Sequence, residues 1–184
     1  MDQRSGFDQW SYFEERDLTL SFACSWVKAP DYRSVVAALR AGEGVACDLN
    51  EARRWFRPYA EEEVVWVAEQ SPGWVKMFTL SGPSRWWSSL DKLPQAGGQG
   101  FWLSCDTQLG EINAPGYVND GEWGDFPSEY LERPSQEGAG LVGSDEFAQE
   151  MNFYLAGIAY QTGTFIDDSW FGTPGLLCRI PSGA

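Results

Sequence analysis

The chain contains no histidine and only three lysines, Lys28, Lys76 and Lys92. Without histidine it lacks the commonest general base near neutral pH, the commonest metal ligand and the usual partner of an activated Ser or Cys nucleophile. Its four cysteines (Cys24, Cys47, Cys105, Cys178) stand alone, with no Cys-x-x-Cys pair. That excludes zinc ribbons and thioredoxin-type redox motifs and fits buried thiols in a cytoplasmic protein. No apolar run approaches the roughly 20 residues of a membrane helix. The start, Met1-Asp2-Gln3-Arg4-Ser5-Gly6-Phe7, has no basic region followed by an apolar one, so no secretory signal is expected. No Gly-x-Gly-x-x-Gly follows a strand, and a Walker loop and a Gly-x-Ser-x-Gly elbow are missing, which excludes the nucleotide folds and the serine-hydrolase elbow.

What the chain has in abundance is aromatic surface and negative charge. Its 184 residues include ten Trp, seven Tyr and eleven Phe, and 27 acids against 13 bases give a net charge of −14. Such a surface repels phosphate backbones, so neither a nucleic acid nor an anionic membrane is an expected partner. Arg53, Arg54 and Arg57 form the one basic cluster, read as a solvated helix face. Length and composition fit a single domain over residues 1–184.

The order of elements predicts an α+β fold, an antiparallel β-meander packed by an N-terminal and a C-terminal helix. Residues 1–16 read as a loose arm or short helix. Asp17 to Cys24 alternates as a strand, and Asp31 caps a helix carrying Tyr32, Val35, Val36 and Leu39 on one face, with Gly42 as its stop. Asp48 or Asn50 opens a second short helix that buries Ala52, Trp55 and Phe56. Glu63–Glu69 and Trp74–Leu80 form a hairpin around Pro72-Gly73. A short helix holds Trp86 and Trp87, whose side chains leave it about 100° apart. Gly100–Cys105 pairs with Glu111–Val118, and Asn119-Asp120-Gly121 turns into Glu122–Phe126. Pro127–Gly143 reads as an excursion loop. Ser144 then caps the clearest helix, with Phe147, Met151, Tyr154, Leu155 and Ile158 at helical spacing and Gly163 as its stop, before an irregular or extended tail.

This succession resembles an actinobacterial family known as domain of unknown function 6461. The resemblance is carried by the early strand and helix (Leu18 to Leu39), the Trp-bearing hairpin Val64-Val65-Trp66-Val67-Ala68-Glu69 to Trp74, the strand pair from Phe101-Trp102 to Asp120-Gly121, and the late helix from Phe147 to Thr162-Gly163. Together these span about four fifths of the chain. The acidic first arm and the Pro127–Gly143 insertion depart from the family pattern. The resemblance implies the fold and an actinobacterial setting, and no chemistry comes with it.

Two constellations remain as candidates for function. The indoles of Trp66, Trp74, Trp86, Trp87, Trp102 and Trp123 offer flat, rigid area suited to an apolar ligand, and two to four of the ten are expected at a pocket or interface. Beside them lie Asp106, Glu111, Asp120, Glu122 and Asp125 in one β-meander. Glu111 and Asp106, with Tyr117, are the candidate proton-transfer groups, because a carboxylate buried among aromatics can titrate near neutrality. Glu111, Asn113 and Tyr117 share strand parity if pairing is uninterrupted, although Pro115-Gly116 can break it. Asp120 is better read as a turn former. Lys76 is expected to face solvent. Asp120–Asp125 and Asp167-Asp168 lack a calcium-loop ligand series, so no metal and no cofactor are expected.

Two functions fit this inventory. One is a cofactor-independent binder or catalyst of an apolar small molecule, working by cyclisation, dehydration or conjugate addition in specialised metabolism. The other is an acidic, non-catalytic interaction module, immunity-like or regulatory, for a basic protein partner.

Overall fold

The computed structural model describes residues 6–83 and 98–181. Among these residues eight strands are present: β1 (Phe22–Lys28), β2 (Val45–Cys47), β3 (Glu63–Ser71), β4 (Trp74–Ser81), β5 (Gly100–Asp106), β6 (Glu111–Asn119), β7 (Glu122–Asp125) and β8 (Gly175–Ile180). They form one sheet in the order β2-β8-β3-β4-β1-β5-β6-β7, and all seven ladders are antiparallel. The helices are α1 (Ser11–Glu14), α2 (Tyr32–Ala38), α3 (Leu49–Ala52), α4 (Glu129–Gln136), α5 (Glu146–Thr162) and α6 (Asp168–Phe171). The expected α+β architecture is therefore present, with one helix system on each face of the sheet.

Turn chemistry sets the hairpins. Asp120 (φ 50°) and Gly121 (φ 83°) both adopt the left-handed conformation that a two-residue hairpin turn requires. Strand alternation then divides the side chains. Phe22, Cys24 and Trp26 of β1 join Trp66, Phe78 and Phe101 in a core closed by Met151, Leu155 and Ile158 of α5. Val27, Val65, Val67, Val75 and Met77 point the other way and meet Val35 of α2.

The first turns are docked rather than loose. Phe13 is fully buried, its ring 5.0–5.8 Å from those of Phe22, Phe78, Trp170 and Phe171. The backbone N–H of Trp10 donates to Asn152 Oδ1 (2.7 Å), and that of Ile166 donates to Gln9 Oε1 (2.8 Å). These bonds tie the arm to α5 and to the tail.

Several expectations are corrected. The first strand begins at Phe22, not Asp17. Residues 127–143 are not a loop throughout: they hold α4 and a 3-10 turn at Ala139–Leu141. The approach of α4 to α5 explains this, since a Cβ on Gly157 would lie 3.0 Å from Leu131 and 3.3 Å from Phe126. The α5 cap is Asp145, whose carboxylate accepts from Ala148 N, rather than Ser144. The tail forms α6 and then β8, which is inserted between β2 and β3. Trp86 and Trp87 lie outside the described residues.

Lys76 is the largest correction, being 1% exposed. β4 is an inner strand covered on both faces, all eight residues buried, so no position on it faces water. The ammonium lies on the aromatic face, 4.2 Å above the Trp170 ring, and donates to Trp170 O and Thr173 Oγ1, both at 2.9 Å. Burial depresses its pKa from 10.5 to about 7, against smaller upward influences from Cys24 and Asp167.

Candidate functional site

At the β5–β6–β7 end of the sheet, on the α2 side, a cleft opens among the described residues. Alternation along β5 sends Phe101, Leu103 and Cys105 into the core and leaves Trp102, Ser104 and Asp106 on the outer face. β6 contributes Glu111 opposite Asp106 and Asn113 opposite Ser104. The register then shifts: Trp102 pairs with Gly116, so Ala114 and Pro115 together oppose Leu103. This bulge flips the parity of β6.

The bulge settles the fate of Tyr117. Glu111 and Asn113 face the cleft, whereas Tyr117 turns to the opposite face, where its ring stacks on Phe101 (5.4 Å, 23° between planes). Its hydroxyl accepts from Gln99 Nε2 at 3.0 Å. The neighbouring Tyr130 hydroxyl is pushed up to about 12, first by its hydrogen bond with Tyr117 and then by burial. The three candidate proton-transfer groups are thus not assembled in one place.

Gly116 lets the Trp102 indole lie against the backbone of β6: a Cβ there would fall 1.5 Å from Trp102 Cζ2. Trp123, 44% exposed on β7, meets Trp102 with centroids 4.8 Å apart and planes at 57°. The cleft around this pair has a volume of about 530 Å³, and Ser104, Asp106, Glu111 and Asn113 supply its polar wall. Asn113 Nδ2 donates to Ser104 Oγ at 3.0 Å. Asp106 accepts from Tyr59 Oη (2.8 Å) and from the amides of Gln108 (2.9 Å) and Leu109 (3.3 Å). The Tyr59 bond, ahead of the two amides, holds this carboxyl below its ordinary range. Asp106 is therefore an ionised acceptor near neutral pH, the opposite of a buried general acid. Among the described residues neither Asp106 nor Glu111 forms an ion pair with Lys or Arg.

The remaining candidates are core. Trp66 is fully buried, its Nε1 donating to Cys47 O at 3.2 Å. Trp74 stacks on Phe101 at 5.4 Å. Both sit on inner strands, where the aromatic face is covered. Trp10, Trp26 and Trp170 are buried as well. Of the eight described indoles, Trp55, Trp102 and Trp123 are left at surface clefts.

Trp55 marks a second cavity that sequence reasoning missed. About 450 Å³ opens beside the β2–β8 edge, lined by Val45, Trp55, Val64, Leu177 and Arg179, and its wall is mainly apolar. Arg179 lies 5.5 Å from the Trp55 ring and pairs with Glu62 at 3.1 Å. Trp55 Nε1 is buried and finds no acceptor among the described residues. No local signal announces this cavity, because its walls come from segments more than a hundred positions apart in sequence.

Fold and site together define an α+β domain with an acidic, tryptophan-lined cleft at one end of an antiparallel sheet. No family model matches the chain, and neither does any solved structure. A tRNA dimethylallyltransferase of Caulobacter sp. (strain K31) is 31% identical over 97 residues, covering 53% of this chain and 30% of that protein. The chain thus spans under a third of the length of the curated relative it matches.

Proposed function

We propose that the chain is a non-catalytic binding module that receives a cationic group of a protein partner in the Trp102–Trp123 cleft. One observation carries the reading: the exposed Trp123 indole, 4.8 Å from Trp102 between ring centroids, shares a cleft with two carboxylates that no described cation neutralises. A guanidinium or ammonium over an indole gains about 0.5–1 kcal/mol at an exposed site. A neighbouring surface carboxylate adds up to ~1 kcal/mol. Several such contacts, with the −14 net charge steering a basic partner inward, suit a regulatory or immunity-like association. Proton transfer by Glu111, Asp106 and Tyr117 has less support, since Tyr117 faces away and Asp106 is held ionised.

The likeness to tRNA dimethylallyltransferase does not lead to tRNA as a ligand here, because a polyanion is repelled by this charge. Four free thiols support a cytoplasmic setting. Among the described residues no helix is long and apolar enough to cross a membrane.

Titration with an arginine-rich peptide, followed by tryptophan fluorescence, tests the reading. Binding should weaken with added salt and be lost in Trp123→Ala. Equal affinity in wild type and Trp123→Ala would refute it. A second reading, an apolar small-molecule binder, is favoured by the Trp55 cavity. A retained adduct of a few hundred daltons in native mass spectrometry, absent in Trp55→Ala, would be its mark.

A further inference from the structure

Among the described residues β7 ends the sheet and pairs on one side only, with β6. Its four residues, Glu122, Trp123, Gly124 and Asp125, are all exposed. The direction of their backbone groups follows from the ladder. The Asp120-Gly121 turn closes the hairpin at the Asn119–Glu122 pair, and past the other end Phe126 N donates to Pro115 O at 3.2 Å. Hydrogen-bonded and non-hydrogen-bonded pairs alternate in an antiparallel ladder. Glu122, Gly124 and Phe126 therefore turn their amides toward β6, and Trp123 and Asp125 present theirs outward. The same two residues carry their side chains on the cleft face, since Trp123 touches Trp102 and Asp125 shares its parity.

The edge is acidic as well as open. A second copy of β7 laid against it would set like charges opposite one another, which disfavours pairing of the chain with itself. A basic strand meets no such barrier, so the charges that exclude one partner select the other.

We propose that the partner adds an extended basic segment to the β7 edge as a further strand, with Arg or Lys at every second position on the cleft face. The segment pairs with the outward amides and carbonyls of Trp123 and Asp125, and its basic side chains reach the Trp123 ring and the Asp125 carboxylate. Main-chain bonds supply affinity and alternate side chains supply specificity, as in other strand additions. The inference rests on the cleft reading above and adds the mode of docking to it.

The test uses a synthetic peptide of about six residues, a usual strand length, alternating Arg and Thr. Its affinity is measured for wild type, Asp125→Asn and Asp125→Pro. Asn removes the charge and keeps the N–H; Pro also removes the outward N–H, at an edge position where its ring is tolerated. The expected result is a few-fold loss for Asn and a further loss of about tenfold for Pro, since a hydrogen bond and its alignment go together. Equal affinity for the Asn and Pro variants would overturn strand addition and leave the cleft reading standing. Failure of wild type to bind the peptide would overturn both. If Asp125→Pro disturbs the fold, N-methylation of the peptide supplies the same test. Methylating one set of alternate amides should abolish binding and the other set should not, whereas identical loss from both overturns the proposal.

Discussion

Replacing Lys76 by Met should remove the rise in stability that the buried ammonium produces as pH increases above neutrality. The ammonium is buried under Trp170 and Thr173, and burial lowers its pKa from 10.5 to about 7. At any pH between those values the unfolded chain holds a proton there that the folded chain has released. Stability must then rise with pH, by up to about 1.4 kcal/mol per pH unit while one proton separates the two states. Across the window the gain is about 4–5 kcal/mol, and below about pH 7 the full cost of the buried charge is present. Burial acts on the thiols in the opposite sense, raising Cys105 to about 12 and Cys178 to about 11 from 9.0. Those shifts erode stability as pH rises above about 9, so wild type alone would show a blunted curve. The difference between wild type and Lys76→Met cancels most of that erosion. Met keeps the length of the side chain and gives up the bonds to Trp170 O and Thr173 Oγ1, but Thr173 Oγ1 still donates to Trp170 O at 3.0 Å. Urea unfolding of both proteins at intervals from roughly pH 6 to pH 10 gives that difference. It should move in favour of wild type by several kcal/mol as pH rises. Parallel profiles would refute the reasoning, because they would mean that Lys76 keeps an ordinary pKa in the folded state.

Three further substitutions probe how the site and fold are held. Gly116→Ala places a methyl 1.5 Å from the Trp102 ring, so the indole must move; a loss of about 1–3 kcal/mol and a changed near-UV CD signal are expected. An unchanged spectrum would show that Trp102 does not rest on Gly116. Phe13→Ala empties a site ringed by four aromatic side chains and should cost about 3–5 kcal/mol in denaturant unfolding; a loss below 1 kcal/mol would mean that the arm is not docked. Asp145→Ala should cost about 1 kcal/mol and Ser144→Ala almost nothing, and the reverse order would return the α5 cap to Ser144.

The parts of the fold that local chemistry determines could be read from the sequence. Asp120-Gly121 needs two left-handed residues, Asp31 and Asp48 accept from the third residue onward, and Gly163 ends α5 at φ 79°. Alternation also put Glu111 and Asn113 on one face, the one that lines the cleft. What alternation cannot supply is the rank of a strand within the sheet. Trp66, Trp74 and Lys76 carry patterns as ambiguous as that of Trp102, and they are buried because β3 and β4 have neighbours on both sides and layers on both faces. Trp123 escapes because β7 is the last described strand of the sheet, and Trp102 because its face of β5 opens into the cleft. Tyr117 failed for a smaller reason, one extra residue opposite Leu103. The Trp55 cavity depends on β8 coming to lie beside β2, a pairing across more than a hundred residues.

The aromatic load thus serves two ends of one sheet differently. Along α5 the residues that face the sheet are Ala148, Met151, Leu155 and Ile158, aliphatic side chains that leave the large rings of the sheet and arm to fill the layer. At the β5–β7 end no such helix closes the outer face among the described residues, and there Trp102 rests on Gly116 and meets Trp123. The contact that forms the cleft is therefore also the contact that fixes its strands. A Trp102 variant changes binding and local stability together and cannot separate them. Trp123 projects from the last described strand, so its removal takes away a binding surface while leaving the β5–β6 pairing intact. Trp123→Ala, and not Trp102→Ala, is accordingly the variant on which the binding reading stands or falls.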